Sequence, residues 1–138
     1  MTELKRQATG TFEVNLQPLE GYAPGEDGVL LGRMSIDKEF AGDLAATSQG
    51  EMIMARTPVE GSAGYTAVEQ VRGALHGREG GFVLQHYGIM ADGEQRLILE
   101  IVPDSGTGEL TGISGSMTID AEDDLHCYIL TYALGEKE

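Results

Sequence analysis

The sequence predicts an all-β protein, a single domain spanning residues 1–138 and closed into an eight-stranded antiparallel barrel. Three observations lead there. Segments rich in Thr, Val, Ile, Tyr and Phe recur along the whole chain, separated by Gly, Pro, Asn or Asp clusters. Glycine is the compositional outlier at 20 residues, scattered where a helix would lose about 1 kcal/mol for each one. Eight antiparallel strands in succession leave two exposed edges unless the sheet closes on itself. A two-sheet sandwich is the alternative architecture.

Taken in order, Thr9 to Leu16 places Phe12, Val14 and Leu16 on one side, and QPLEGYAPGEDG then makes a long connection. Val29 to Phe40 follows, with Leu31, Ile36 and Phe40 as apolar markers. Ala41-Gly42 turns the chain into Asp43 to Arg56. After the turn TPVEGSAG comes Tyr65 to His76, then a turn read at GREGG and a strand from Phe82 to Met90. Asp92-Gly93 is a favoured two-residue hairpin signal leading into Glu94 to Val102. A loop at Pro103 to Gly108 precedes the last two strands, Glu109 to Ile119 and Leu125 to Leu134. Apolar positions 67, 68, 71 and 75 also fit a helical period, but Gly73 and the β-branched neighbours favour a strand there.

Composition narrows the function classes. The net charge of −14 repels phosphate backbones and anionic lipid surfaces, so neither nucleic acid nor membrane is expected as a partner. Cys127 is the single cysteine, which excludes an intrachain disulfide or a cysteine-based zinc cluster. MTELKRQATG lacks the apolar run of a secretion signal and no segment has the length of a membrane span, so a cytoplasmic location is expected. No cofactor is implied. Gly106 and Gly108 begin a dinucleotide fingerprint whose third position is Thr111, and neither Ser105 nor Ser114 sits in a nucleophile elbow. His76, His86 and His126 have no metal-binding spacing. The acidic group Asp120, Glu122, Asp123 and Asp124 lacks the glycine-centred calcium-loop pattern, so no metal site is expected.

Folding the hairpins on paper brings three ionisable side chains together. If GREGG pairs Leu75 with Phe82, then Val71 opposes His86 and Glu69 lies diagonal to it; if Ala55 pairs with Tyr65, Glu51 opposes Glu69. The same face carries Ile53, Ala67, Val71, Leu75, Phe82, Leu84 and Met90, which marks it as the barrel interior. Glu51, Glu69 and His86 are thus candidate ligand-binding residues, because buried charges are costly unless paired and paired ones cluster at functional sites. A one-residue slip in either hairpin would turn these groups outward.

The segments AGDLAATSQGEMIMA, YTAVEQVRGALHGREGGFVLQH and VPDSGTGELTGISG, with the Thr9-Gly10-Thr11-Phe12 start, resemble an uncharacterised bacterial family of the allene oxide cyclase-like β-barrels. The resemblance implies an eight-stranded barrel with a largely apolar cavity, in which a few polar groups steer cyclisation of an unstable epoxide. No motif here matches the plant enzymes' catalytic residues, so none is carried over, and shared folds host unrelated chemistry.

Three functions compete. The first is a module that holds a small, mostly apolar ligand in the barrel through Glu51, Glu69 and His86. The second is an isomerase or cyclase using these groups as acid and base, which asks for a raised carboxyl pKa. The third is a structural protein that self-associates as a homo-oligomer, a dimer or trimer, through an outer apolar strip including Val83, Tyr87 and Ile89.

Overall fold

The computed structural model describes residues 5–122 and 125–135, the side chains of 121 and 122 excepted. Nine antiparallel strands follow in chain order: β1 (Arg6–Leu19), β2 (Leu30–Gly42), β3 (Leu44–Arg56), β4 (Ala63–Leu75), β5 (Arg78–Ala91), β6 (Glu94–Ile101), β7 (Thr107–Gly108), β8 (Ile113–Glu122) and β9 (Leu125–Leu134). The sheet runs β4-β3-β2-β1-β9-β8-β6-β5, and β4 pairs with β5 to close it. Eight strands therefore form the barrel. The two-residue β7 is a flap against Gly80 and Gly81 of β5 and falls in the segment expected as a loop, while the strand expected from Glu109 to Ile119 begins only at Ile113, after a turn over 109–112.

Turn chemistry fixes the hairpins. His76-Gly77 joins β4 to β5 and Asp92-Gly93 joins β5 to β6, with φ positive at both residues of each turn. That geometry matches the natural twist of antiparallel strands. The first of these turns takes only Gly77 from GREGG, whose remaining residues belong to β5: Leu75 pairs with Arg78 and Val71 with Phe82.

Strand register sets the barrel's tilt. A row of directly opposed residues leaves β1 at Pro18 and passes through Met34, Met52, Ala67, His86, Leu99, Met117 and Leu130. It returns to β1 at Ala8, ten residues from its start. An offset of this size requires strands steeply inclined to the axis, within the usual range of about 35–45°.

The interior is filled unevenly. At one end Phe12, Phe40, Leu44, Val71, Leu75, Phe82, Leu84, Ile113, Tyr128 and Tyr132 form a closed apolar core. Phe12 and Phe40 pack at 5.6 Å, and Tyr128 meets Phe40 edge-on. The Tyr128 hydroxyl accepts from Leu44 N and donates to Ala41 O, both at 2.9 Å, tying β9 to the β2–β3 turn. Towards the opposite end the inward side chains of Met34, Met52, Met54, Tyr65 and Met90 are only half-buried, and Leu16 is 38% exposed. Four of the protein's six methionines thus line the open half. Among the described residues no helix is long and apolar enough to cross a membrane.

Candidate functional site

Between the filled end and the open end, four polar side chains point inward from four adjacent strands. Period-two alternation puts Lys38 in line with Ile36 and Phe40 on β2, Ser48 with Leu44 on β3, and Glu69 with Ala67 and Val71 on β4. His86 on β5 lies diagonal to Glu69, because Glu69 opposes Leu84 and Ala67 opposes His86. All four are buried, Glu69 completely. Gly50 opposes Glu69 from β3, and a Cβ there would lie 2.6 Å from the Glu69 Cα. Only glycine lets the two strands close at this level.

The hydrogen bonding is complete around the carboxylate. Lys38 Nζ donates to Glu69 Oε2 at 2.9 Å and Ser48 Oγ donates to Oε1 at 2.5 Å. His86 Nε2 bonds to Oε2 as well. Burial alone would push the Glu69 pKa up. The His86 bond, the Lys38 charge and the Ser48 hydroxyl outweigh it and bring the value down to about 2. An ionised carboxylate only accepts, so His86 Nε2 carries the proton of that bond. Lys38 also sits 4.7 Å from the centroid of Phe12 and 5.7 Å from that of Phe40, where the ring faces help to stabilise its charge.

On the open side, Tyr65 lies beside this cluster with its ring 6.2 Å from that of His86. It opposes Gly88, where any Cβ would collide with the Tyr65 ring, so the glycine creates the slot that holds it. Burial, then the Glu69 charge, push the Tyr65 phenol up, and it stays protonated at neutral pH. Among the described residues no buried side-chain nitrogen or oxygen is left without a hydrogen-bond partner.

Of the three expected residues, Glu69 and His86 meet and Glu51 does not join them. The β3–β4 register pairs Met54, not Ala55, with Tyr65, which sets Glu51 against Val68. The connection Thr57 to Ser62, closed by Thr57 N to Ser62 O, is one residue out from the assumed turn. A slip of one reverses the face. Glu51 is therefore exposed and bonded to Arg33 Nε at 2.8 Å, and Ile53 faces solvent with it. The β4–β5 register differs from expectation by four residues, an even number, so Glu69 and His86 stay inside. Lys38, Ser48 and Tyr65 were not foreseen. Lys38 had a usable signal, since it lies midway between Ile36 and Phe40 in a period-two strand.

Glu69 and His86 provide only two potential metal ligands, and among the described residues no group of three His, Cys, Asp or Glu side chains could hold a metal ion. Asp120 is exposed, and Asp123 and Asp124 lie outside the described residues.

No curated protein matches this sequence. A solved protein of unknown function from the DUF3224 family of Shewanella oneidensis MR-1 is 54% identical. The match covers 97% of this chain and 100% of that one, with a TM-score of 0.95. The model of a family described as "Protein of unknown function (DUF3224)" matches residues 8–132. With nearly the whole barrel inside that match, the chain belongs to the DUF3224 family.

Proposed function

We propose that the protein binds a small, mostly apolar molecule in the open half of its barrel, with one polar group of the ligand directed at His86 and Tyr65. The observation that carries this reading is the buried Lys38–Ser48–Glu69–His86 cluster at the base of a half-buried, methionine-lined end. Buried ion pairs rarely improve on well-packed apolar residues as a source of stability, so folding alone gives little reason to keep this one. Methionine side chains are flexible and polarisable and suit an apolar ligand of irregular shape. The Tyr65 hydroxyl, which can donate or accept, and the His86 ring beside it suit one hydroxyl or carbonyl-bearing head.

An acid–base isomerase draws less support. Glu69 is held down at about 2 rather than raised, with its oxygens committed to Lys38, Ser48 and His86. The test is native mass spectrometry of gently purified protein, followed by denaturing analysis of whatever is released. A stoichiometric organic passenger that is lost in Met52→Arg and weakened in His86→Ala is expected. A protein that carries no passenger, and gives no saturable uptake from a panel of apolar alcohols and ketones, refutes the reading.

A second reading concerns the outer wall. Ile53, Thr66, Tyr87 and Ile98 form one cross-strand row over β3 to β6, flanked by Val68. Exposures of 57% for Ile53, 50% for Val68 and 46% each for Tyr87 and Ile98 leave an apolar strip on the surface. Self-association of two copies through this strip is compatible with a ligand inside.

A further inference from the structure

One concavity on the outside of the barrel belongs to neither the lumen nor the apolar strip. Two outward rows of side chains run parallel across four strands, Glu13–Glu39–Thr47–Arg72 and Asn15–Asp37–Gln49–Gln70. Val14, Lys38 and Ser48 form the floor between them, and the space enclosed is about 590 Å³. The rows are two residues apart on each strand, about 7 Å, and the groove extends over three strand spacings, about 14 Å. Ligand sites commonly fall in this range of volume.

We infer that this groove is a second binding site, for a short linear oligosaccharide lying across the strands. Its rims offer three side-chain amides, a hydroxyl, three carboxylates and a guanidinium, with Val14 the single apolar residue. Hydroxyl groups of a sugar both donate and accept, and such a mixed set can answer them: carboxylates accept, Arg72 donates, and Asn15, Gln49 and Gln70 do both. The lining excludes an apolar ligand. The three carboxylates and the net charge of −14 exclude a polyanion.

Folding alone does not account for the rims. Glu13 and Glu39 are directly opposed on β1 and β2, a destabilising placement for like charges. None of Glu13, Asp37, Glu39 and Arg72 has an ion-pair partner among the described residues. Sugar hydroxyls bridging Glu13 and Glu39 would satisfy both carboxylates at once. Backbone groups on the floor are already used in the β1–β2 and β2–β3 ladders, so recognition falls to the side chains.

The experiment is a backbone amide NMR titration of the full chain with linear glucan, mannan and chitin-type trisaccharides, with glycerol and spermidine run alongside. At least one trisaccharide is expected to shift amides of residues 13–15, 37–39, 47–49 and 70–72 saturably, with a millimolar Kd. Gln49→Ala combined with Gln70→Ala changes only exposed side chains, so the barrel remains folded, and it is expected to weaken binding about tenfold or more. The inference is overturned if no trisaccharide moves these amides, if glycerol moves them equally, or if the double variant binds as tightly as the parent. It is also overturned if spermidine saturates the groove while the sugars do not, which would make it a cation site.

Discussion

Replacing Glu69 with glutamine tests whether the buried cluster is as tightly coupled as its geometry implies. In the folded protein the carboxyl pKa is about 2 against an ordinary 4.5. At about 1.4 kcal/mol per pH unit, that difference is worth about 3 kcal/mol of folding stability. The folded value is the lower one, so this contribution is fully present above about pH 5 and is lost as the pH falls towards 2. Glu69→Gln removes it at every pH and leaves the Lys38 ammonium buried beside a neutral amide. Breaking a buried pair in this way costs about 3–5 kcal/mol.

Urea unfolding from about pH 7 down to about pH 2 should therefore show the parent protein losing stability steeply on the acid side. The variant starts several kcal/mol lower at neutral pH and has a flatter acid limb. Adding Lys38→Met to Glu69→Gln removes the orphaned charge and should recover much of the loss. The coupling would be refuted if the two curves stayed parallel from pH 5 to 2, or if Glu69→Gln alone matched the parent at neutral pH.

Other expectations follow from single contacts. Glu51→Gln, on the outer face and bonded only to exposed Arg33, should leave the urea midpoint unchanged, in contrast to Glu69→Gln. Tyr128→Phe should cost about 1–3 kcal/mol in thermal unfolding, since Leu44 N loses its buried acceptor. His76 has φ of 48° and its Nδ1 lies 2.5 Å from the buried Tyr132 hydroxyl. His76→Gly relieves the backbone but strands that hydroxyl, so it should lower the Tm, while combining it with Tyr132→Phe should restore it. Sedimentation velocity should show a concentration-dependent dimer or trimer that Tyr87→Arg with Ile98→Arg dissociates; parent protein that is monomeric at all concentrations removes that reading.

The strand sequence and the closed barrel were legible because alternation, turn residues and the need to pair edges all point the same way. His86 and Glu69 were legible for a weaker reason: the error in the β4–β5 turn was four residues, and an even error preserves the face. Glu51 shows the converse. A single-residue misplacement of the β3–β4 connection was enough to move it from the lumen to the surface. Lys38 and Ser48 were missed because a charged or small polar residue in a strand reads as solvent-facing by its chemistry. Alternation beside Ile36 and Phe40 was the stronger guide. The groove needed the structure, since its eight rim residues come from four strands whose mutual registers no local pattern sets.

The floor of the outer groove and the anchors of the inner carboxylate are the same stretch of chain. Lys38 and Ser48 turn their side chains inward to Glu69, while Asp37, Glu39, Thr47 and Gln49 turn outward. One sheet thickness separates the two chemistries, and β2 and β3 cannot flex at that level without being felt on both faces. An occupant that straightens the strands outside would lengthen the Lys38–Glu69 contact inside. The His86 ring, held through Glu69, would then act as a reporter: its imidazole resonances should move when the groove fills, although no ligand atom comes near it.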